Sequence, residues 1–419
     1  MPRKVVSFTV GICACILSTV ATLQSQETTL HHRLQFRNPP INEELAASRE
    51  TRKGLITSSA ASGTNLLPVF NYQVVSSRDG NIYDGVIVGA NPTTRGSAAE
   101  VAISAQLIPV ILKFHTLGVS FDPKTGIFST APGDRTSDPT VPDTGCFTGA
   151  TNVPVDAMLQ SPVFRNADFN FGGTDVGATQ YIDAFQRGNF WNLIDKNHYH
   201  TLLHPTMLAP ITIDVPAASG ISLNTDVFGP GFSLCGPEGF VEFFFFRSAI
   251  AAAVSQLKTI NPGTFPMLML YNSPMPVGDP TNLGDCCVGG FHSILPTGPI
   301  SFQAYSPFDF DVSGLFTTAS SDTAIASHEV GEFVNDPYII NQTPAWGHTG
   351  QVAGCQGNLE VGDPLSGNEA PRIVGSNGIT YHLQELAFFS WFFGSPSLGI
   401  HGWFSDNGTF LTDAGPPCM

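Results

Sequence analysis

Basic residues are scarce in this chain: 18 Lys and Arg stand against 34 Asp and Glu in 419 residues, a formal net charge of −16. A surface of that sign repels phosphate backbones, which excludes nucleic acid as a partner. Charged residues of both signs make up only 12% of the chain, while apolar residues make up 42%. Disorder driven by low charge would need low apolar content as well, so the chain is globular. Beyond the first residues no apolar run is long enough to span a bilayer; Phe240 to Phe246 is interrupted by Glu242 and is far too short. G-x-S-x-G, a Walker loop and a dinucleotide fingerprint are all missing, and the chemistries they serve have no support.

What is abundant is Gly (42), Pro (32) and Phe (32), the composition of a loop-rich protein with large apolar anchors. At the start, Arg3 and Lys4 precede the apolar run Val5 to Ala21, and small or polar residues such as Ser25 follow. This is a secretory signal pattern, predicted over 1–25, and it implies an exported protein, extracellular or periplasmic, with no membrane attachment once the signal is removed. Six cysteines then remain: Cys146, Cys235, Cys286, Cys287, Cys355 and Cys418. An even count in an exported chain points to disulfides, and the spacings do not resemble C-x2-C metal sites. Fifteen connectivities are open.

Residues 26–66 are polar with weak periodicity and read as an extended leader. From 67 to 240 the chain reads as a β-rich, loop-rich N-terminal region. Phe70 to Val75 and Tyr83 to Val88 are strands around Asp79-Gly80 turn chemistry. Leu107 to Leu112 is strand-like but holds Pro109, which predicts an edge strand or one that begins after the proline. Residues 120–175 read as loops pinned by Cys146, and Phe240 to Phe246 as a core strand. The stretch 241–419 reads as the second region. Arg247 to Lys258 is a helix stopped by Asn261-Pro262-Gly263, and Pro266 to Tyr271 a buried strand. Gly289 to Ser293 and Ile300 to Tyr305 are two more strands. Ser321 and Asp322 supply N-cap chemistry for a helix that ends at Asp336-Pro337. The fold class is therefore mixed α+β.

That last helix carries the chemistry. At 100° per residue, Ala326, Val330, Phe333 and Val334 face a core, while His328, Glu332 and Asp336 form one stripe with Glu329 beside it. In H-E-x-x-H metallopeptidases two residues one turn apart grip zinc and the Glu between them activates water. Here Glu332 stands in the second ligand position, and a carboxylate is an acceptable zinc ligand. His328 and Glu332 are thus candidate ligands and Glu329 the candidate general base. Glu360 and Asp363, on a loop downstream, are candidates for the third ligand; Asp336 is the rival. One His with two carboxylates is a hard set, so calcium or manganese is the alternative to zinc.

Several weaker signals accompany it. His292 could face the helix from a neighbouring strand, though a hydrogen-bonded core histidine fits the same residue. His198, His200 and His204 are spaced as a metal cluster, but Pro205 and Asn197 argue for surface histidines instead. Phe308-Asp309-Phe310-Asp311 alternates like an edge strand, with calcium as a ligand that no loop pattern supports. Asn341-Gln342-Thr343 and Asn407-Gly408-Thr409 match the glycosylation sequon.

His328-Glu329-x-x-Glu332-x3-Asp336-Pro337, then Trp346, then Glu360-x-x-Asp363, then Tyr381-x-Leu383-Gln384-Glu385 resembles a pattern of secreted bacterial H-E-x-x-E metallopeptidase-like proteins. It is also similar to the plant Exordium, or phosphate-induced, family, with its H-E-x-x-E helix followed by E-x-G-D. The strand from Met267, then Cys286-Cys287 and Gly290-Phe291-His292, resembles that family's strand and Cys-Gly-Tyr-His segment. The likeness covers about residues 245–395. It departs at Pro364, where the family has Cys, and at His348 and Cys355. The resemblance implies a zincin-like mixed sheet with an active-site helix and a metal site. Two functions follow as expectations: a zinc-dependent hydrolase acting on a peptide or protein, or a non-catalytic extracellular module that binds cell-wall carbohydrate or protein and keeps a structural metal.

Overall fold

The computed structural model describes residues 66–122, 125, 127–147, 149, 151–225, 234–282, 286–298, 301–370, 372–412 and 418. The expected signal (1–25) and nearly all of the expected leader (26–66) lie outside them. The architecture is mixed α/β, mostly sheet, with five helices among the described residues. The chain runs β1 (Val69–Val75), β2 (Ile82–Val88), β3 (Glu100–Asp122), β4 (Ile127–Ser137), α1 (Pro154–Gln160), β5 (Ala167–Phe171), β6 (Thr174–Thr179) and α2 (Tyr181–Asn189). There follow β7 (His200–Met207), β8 (Ile211–Pro216), β9 (Gly220–Leu223), β10 (Glu238–Val241), α3 (Phe243–Gln256), β11 (Thr264–Tyr271), β12 (Ser293–Gly298) and β13 (Ser301–Phe310). The last part holds α4 (Ala324–Asn335), β14 (Gln342–Thr349), β15 (Val352–Asn358), β16 (Ile373–Val374), β17 (Thr380–Tyr381) and α5 (Phe389–Phe393).

β3 is the spine of a nine-stranded mixed sheet. It pairs in parallel with β7, β8, β9 and β11 and antiparallel with β4. β11 in turn runs parallel to β13, so strands from both sides of residue 240 are neighbours. Pro109 sits in the interior of β3 rather than at an edge. It is tolerated because β7 ends opposite Leu107 and β8 begins opposite Val110, so the missing N–H falls at the break between them. Leu208 keeps the ladder closed there by donating to the Leu107 carbonyl at 2.9 Å.

Three other expectations change. Phe240 to Phe246 is not one strand: β10 ends at Val241, Glu242 caps a helix by accepting from the Phe245 N–H at 2.7 Å, and Phe243 opens α3. Phe243, Phe246, Ile250 and Val254 then form the buried stripe of that helix. In 289–293 only Ser293 belongs to a strand, with a single bridge from Gly290 to Phe308 before it. The segment 120–175, expected as loops, contains β4, α1 and β5.

All six cysteines pair, as Cys146–Cys235, Cys286–Cys287 and Cys355–Cys418. Asn341, the first sequon residue, is fully buried and its amide bridges the Val86 carbonyl to the Asn335 carbonyl at 2.7 and 2.6 Å, so it is no glycan acceptor. Asn407 is exposed. Among the described residues no helix is long and apolar enough to cross a membrane.

Helix α4 lies on β13, and Phe333 stacks flat on Phe265 of β11 with ring centroids 3.5 Å apart. Every residue of α4 is buried, including its polar stripe.

Candidate metal centre

A solvated polar stripe would leave its carboxylates in water. Instead His328, Glu329 and Glu332 are 6%, 3% and 5% exposed. Ionisable groups are held this deep only when paired or bound to a cation. On α4 the i, i+4 spacing sets His328 Nε2 3.0 Å from Glu332 Oε1. Asp363, in a tight turn begun by Asp363-Pro364, brings its Oδ1 to 3.7 Å from the same imidazole nitrogen. One ligating atom from each of these three residues lies within 4.8 Å of the others.

The surroundings aim these atoms. His328 Nδ1 lies 2.9 Å from Gln384 Oε1, and the Gln384 amide N–H donates to the Gly362 carbonyl at 2.7 Å. That donation fixes the amide, so its oxygen accepts from Nδ1–H and Nε2 faces the carboxylates. The partner of Nδ1 is thus a side-chain amide, not the carboxylate or backbone carbonyl common in such sites. Asp363 is oriented by the β14–β15 hairpin: Gln356 donates to its Oδ2 at 2.8 Å and Gln351 to its Oδ1. Leu386 packs against Gly331 on the helix.

Gly362 crosses the imidazole so closely that a Cβ there would lie 2.5 Å from His328 Nδ1. The ring is pinned by Gln384 and cannot yield cheaply. Gly362→Ala is therefore expected to cost about 1–3 kcal/mol and to weaken metal binding at His328. Chemical denaturation and metal titration of the variant would measure both; unchanged affinity would mean the ring is free to move.

A second group adjoins the first. His292 Nδ1 lies 3.4 Å from Glu332 Oε2 and 3.9 Å from Glu329 Oε2, and its Nε2 lies 3.7 Å from Glu360 Oε2. Glu332 therefore turns one oxygen to each histidine. Gly290 lets the backbone come down on Glu329; a Cβ there would be 2.7 Å from Glu329 Oε1. Several of these buried atoms have no hydrogen-bond partner: His292 Nε2, Glu329 Oε2, Glu332 Oε1 and both oxygens of Glu360.

The electrostatics follow from this crowding. Burial opposes charge on His328, but Glu332 beside it more than compensates and its pKa rises to about 10. Burial likewise opposes charge on His292, which Glu360 and Glu332 overcome to give about 9. For Glu332 burial acts upward, but His328 and His292 pull its pKa down to about 2. Burial pushes Glu329 and Glu360 well above the carboxylate range, and burial with the Glu332 charge takes Asp363 to about 7. With no cation, protons must hold the cluster together.

The remaining candidates lie apart from this convergence. Asp336 turns to the loop after α4, where its carboxylate accepts from the backbone N–H groups of Ile340 at 2.8 Å and Asn341 at 3.1 Å. His198 pairs with Asp195, and His200 with Asp183, while His204 sits four residues further along β7; on a strand that spacing separates side chains by about 13 Å. Gln351 and Gln356 carry no sequence signal of their own, whereas Gln384 and Gly362, the Gly of E-x-G-D, lie in the patterns that carry the resemblance.

A small cleft reaches the centre, lined by Gly289, Gly290, Ile325, His328, Glu329, Gln351, Ser366 and Gln384. His328 and Glu329 meet it; Glu360 does not line it. No family model, curated protein or solved structure matches this chain.

Proposed function

We propose that this protein is an exported metal-dependent hydrolase of metallopeptidase type, zincin-like in mounting its site on a buried helix. The observation that carries the reading is the convergence of His328 Nε2, Glu332 Oε1 and Asp363 Oδ1 beside Glu329, which borders the cleft and whose Oε2 has no hydrogen bond. The residues fit a divalent cation: Glu329 Oε2 beside them is buried without a hydrogen bond, and one imidazole nitrogen with two carboxylates is an acceptable zinc set. His328, Glu332 and Asp363 would hold the ion. Glu360 is not the third ligand in this reading, because its oxygen faces His292 rather than His328.

A bound divalent ion supplies a water of lowered pKa and polarises a carbonyl. The chain's own residues do the rest. Glu329 holds a proton at its carboxyl, taken from the attacking water and later given to the leaving amine. Burial raises its pKa, which favours the proton-carrying form it needs between the two transfers. Gln351 and Ser366 border the cleft, Ser366 donating to Gln351 Oε1 at 2.7 Å while Gln351 donates to Asp363, so this pair holds the third ligand in place. His292 faces the second oxygen of Glu332 and keeps that side chain directed at His328.

Metal must compete with the protons that otherwise neutralise the cluster. With His328 near 10, zinc has to expel a proton from its ring at any lower pH, so affinity should rise with pH by about tenfold per unit for each proton released. Competition against a chromophoric chelator between pH 6 and pH 9 would show the slope. A flat profile would rule out His328 as a ligand. The function itself is tested by digesting a peptide library with the zinc-loaded full chain: cleavage abolished by chelator and restored by zinc is expected, and no cleavage under any condition refutes it.

A further inference from the structure

The end of β13 runs Phe308-Asp309-Phe310-Asp311. Two-residue spacing sends both phenylalanines to one side and both aspartates to the other. Asp309 and Asp311 are 0% and 1% exposed, yet they are not in the helix centre. Each has one oxygen anchored: Ser273 N–H donates to Asp309 Oδ1 at 2.9 Å, and Ser313 donates to Asp311 Oδ1 from its N–H at 2.9 Å and its hydroxyl at 2.8 Å. The outer oxygens, Asp309 Oδ2 and Asp311 Oδ2, have no donor.

An independent observation comes from another strand. Glu238, the first residue of β10, is fully buried with neither carboxylate oxygen hydrogen-bonded, and one of its oxygens lies within 4.8 Å of both aspartates. Arg135, on β4, is the basic residue whose charge acts on Glu238 and Asp311, but its guanidinium donates to the Pro237 carbonyl. Among the described residues no Lys, Arg or His comes within 4.0 Å of the three carboxylates. Buried oxygens in this state need protons or a cation. Protons shared between carboxyls bridge them in pairs, whereas one cation can meet an oxygen of each of the three residues at once.

We propose that Glu238, Asp309 and Asp311 form a second buried cation site, separate from the helix centre, that takes a hard divalent ion of the calcium class. The donor set is oxygen only, which favours calcium or manganese over zinc. The ion would tie β10 to β13 and, through Ser273, to the turn after β11. The Cys146–Cys235 disulfide lies alongside, with Cys235 N–H bonded to the Ser313 carbonyl at 2.9 Å. The site is a staple at a junction of three strand ends, and it stands whether or not the helix centre is catalytic.

The test uses the full chain freed of metal by a chelator and titrated with calcium and terbium. Wild type should bind one calcium ion with Kd at or below about 10⁻⁵ M, melt several degrees higher with calcium, and lose terbium luminescence on calcium addition. Glu238→Gln is isosteric and neutral, so it should fold yet bind calcium at least about 100-fold more weakly, with the zinc content of the α4 centre unchanged. Asp311→Asn should show the same loss and serves if Glu238→Gln fails to fold. A wild-type chain with equal melting temperatures in calcium and chelator, and terbium that calcium cannot displace, overturns the proposal. So does full calcium affinity in either variant.

Discussion

Glu329→Gln is expected to lower peptide hydrolysis by about 10²–10⁴-fold while leaving bound zinc and melting temperature nearly unchanged. Gln keeps the size of Glu but has no carboxylate to take up a proton. The substitution therefore removes the proton acceptor and little else. Its Oε2 is not hydrogen-bonded, so no partner is orphaned by the change. Turnover and metal content measured on the same preparation decide the matter. If wild type and variant both hold metal and neither hydrolyses anything, the centre is structural and the module reading, with a cell-wall carbohydrate or protein partner, takes its place.

Glu332→Ala should have the largest effect on the fold. Its carboxylate sits between His328 and His292 and is what raises both imidazole pKa values despite their burial. Removing it leaves two buried histidines without their shared counter-charge, a loss of about 3–5 kcal/mol, and it deletes a metal ligand. Both urea unfolding and zinc retention should register the change. Asp336→Asn is the control: it perturbs acceptance of the Ile340 and Asn341 N–H groups but should keep zinc, because Asp336 faces the loop rather than His328. Zinc lost from Asp336→Asn and kept in an Asp363→Asn variant would reverse the assignment of the third ligand.

Local signals in the sequence located the parts of the site that lie on one element. The i, i+4 relation of His328 and Glu332 follows from helix periodicity, and the proline after Asp336 marks where α4 ends. The β1–β2 hairpin and the buried run of β11 are equally local. What the sequence does not carry is pairing over long range. The join of β3 to β11 and β13 across residue 240, and the break between β7 and β8 that accommodates Pro109, are set by tertiary register. The same holds for the turn of helix at Phe243, where the Glu242 cap overrides the strand propensity of four phenylalanines. Near the metal centre, the amides that orient Asp363 and the glycines that let backbone approach His328 and Glu329 have no periodic signature. Their roles exist only once the β14–β15 hairpin and the 360–366 turn fold onto α4.

The central claim is that α4 carries a metal centre, and elemental analysis of the full-length protein tests it most directly. After gentle dialysis wild type should retain one equivalent of zinc, or of another transition metal if zinc was withheld. His328→Ala and Glu332→Ala should retain none at that centre. A folded wild-type chain that holds no transition metal and cannot be loaded with one, or a Glu332→Ala variant that keeps a full equivalent, would contradict the account.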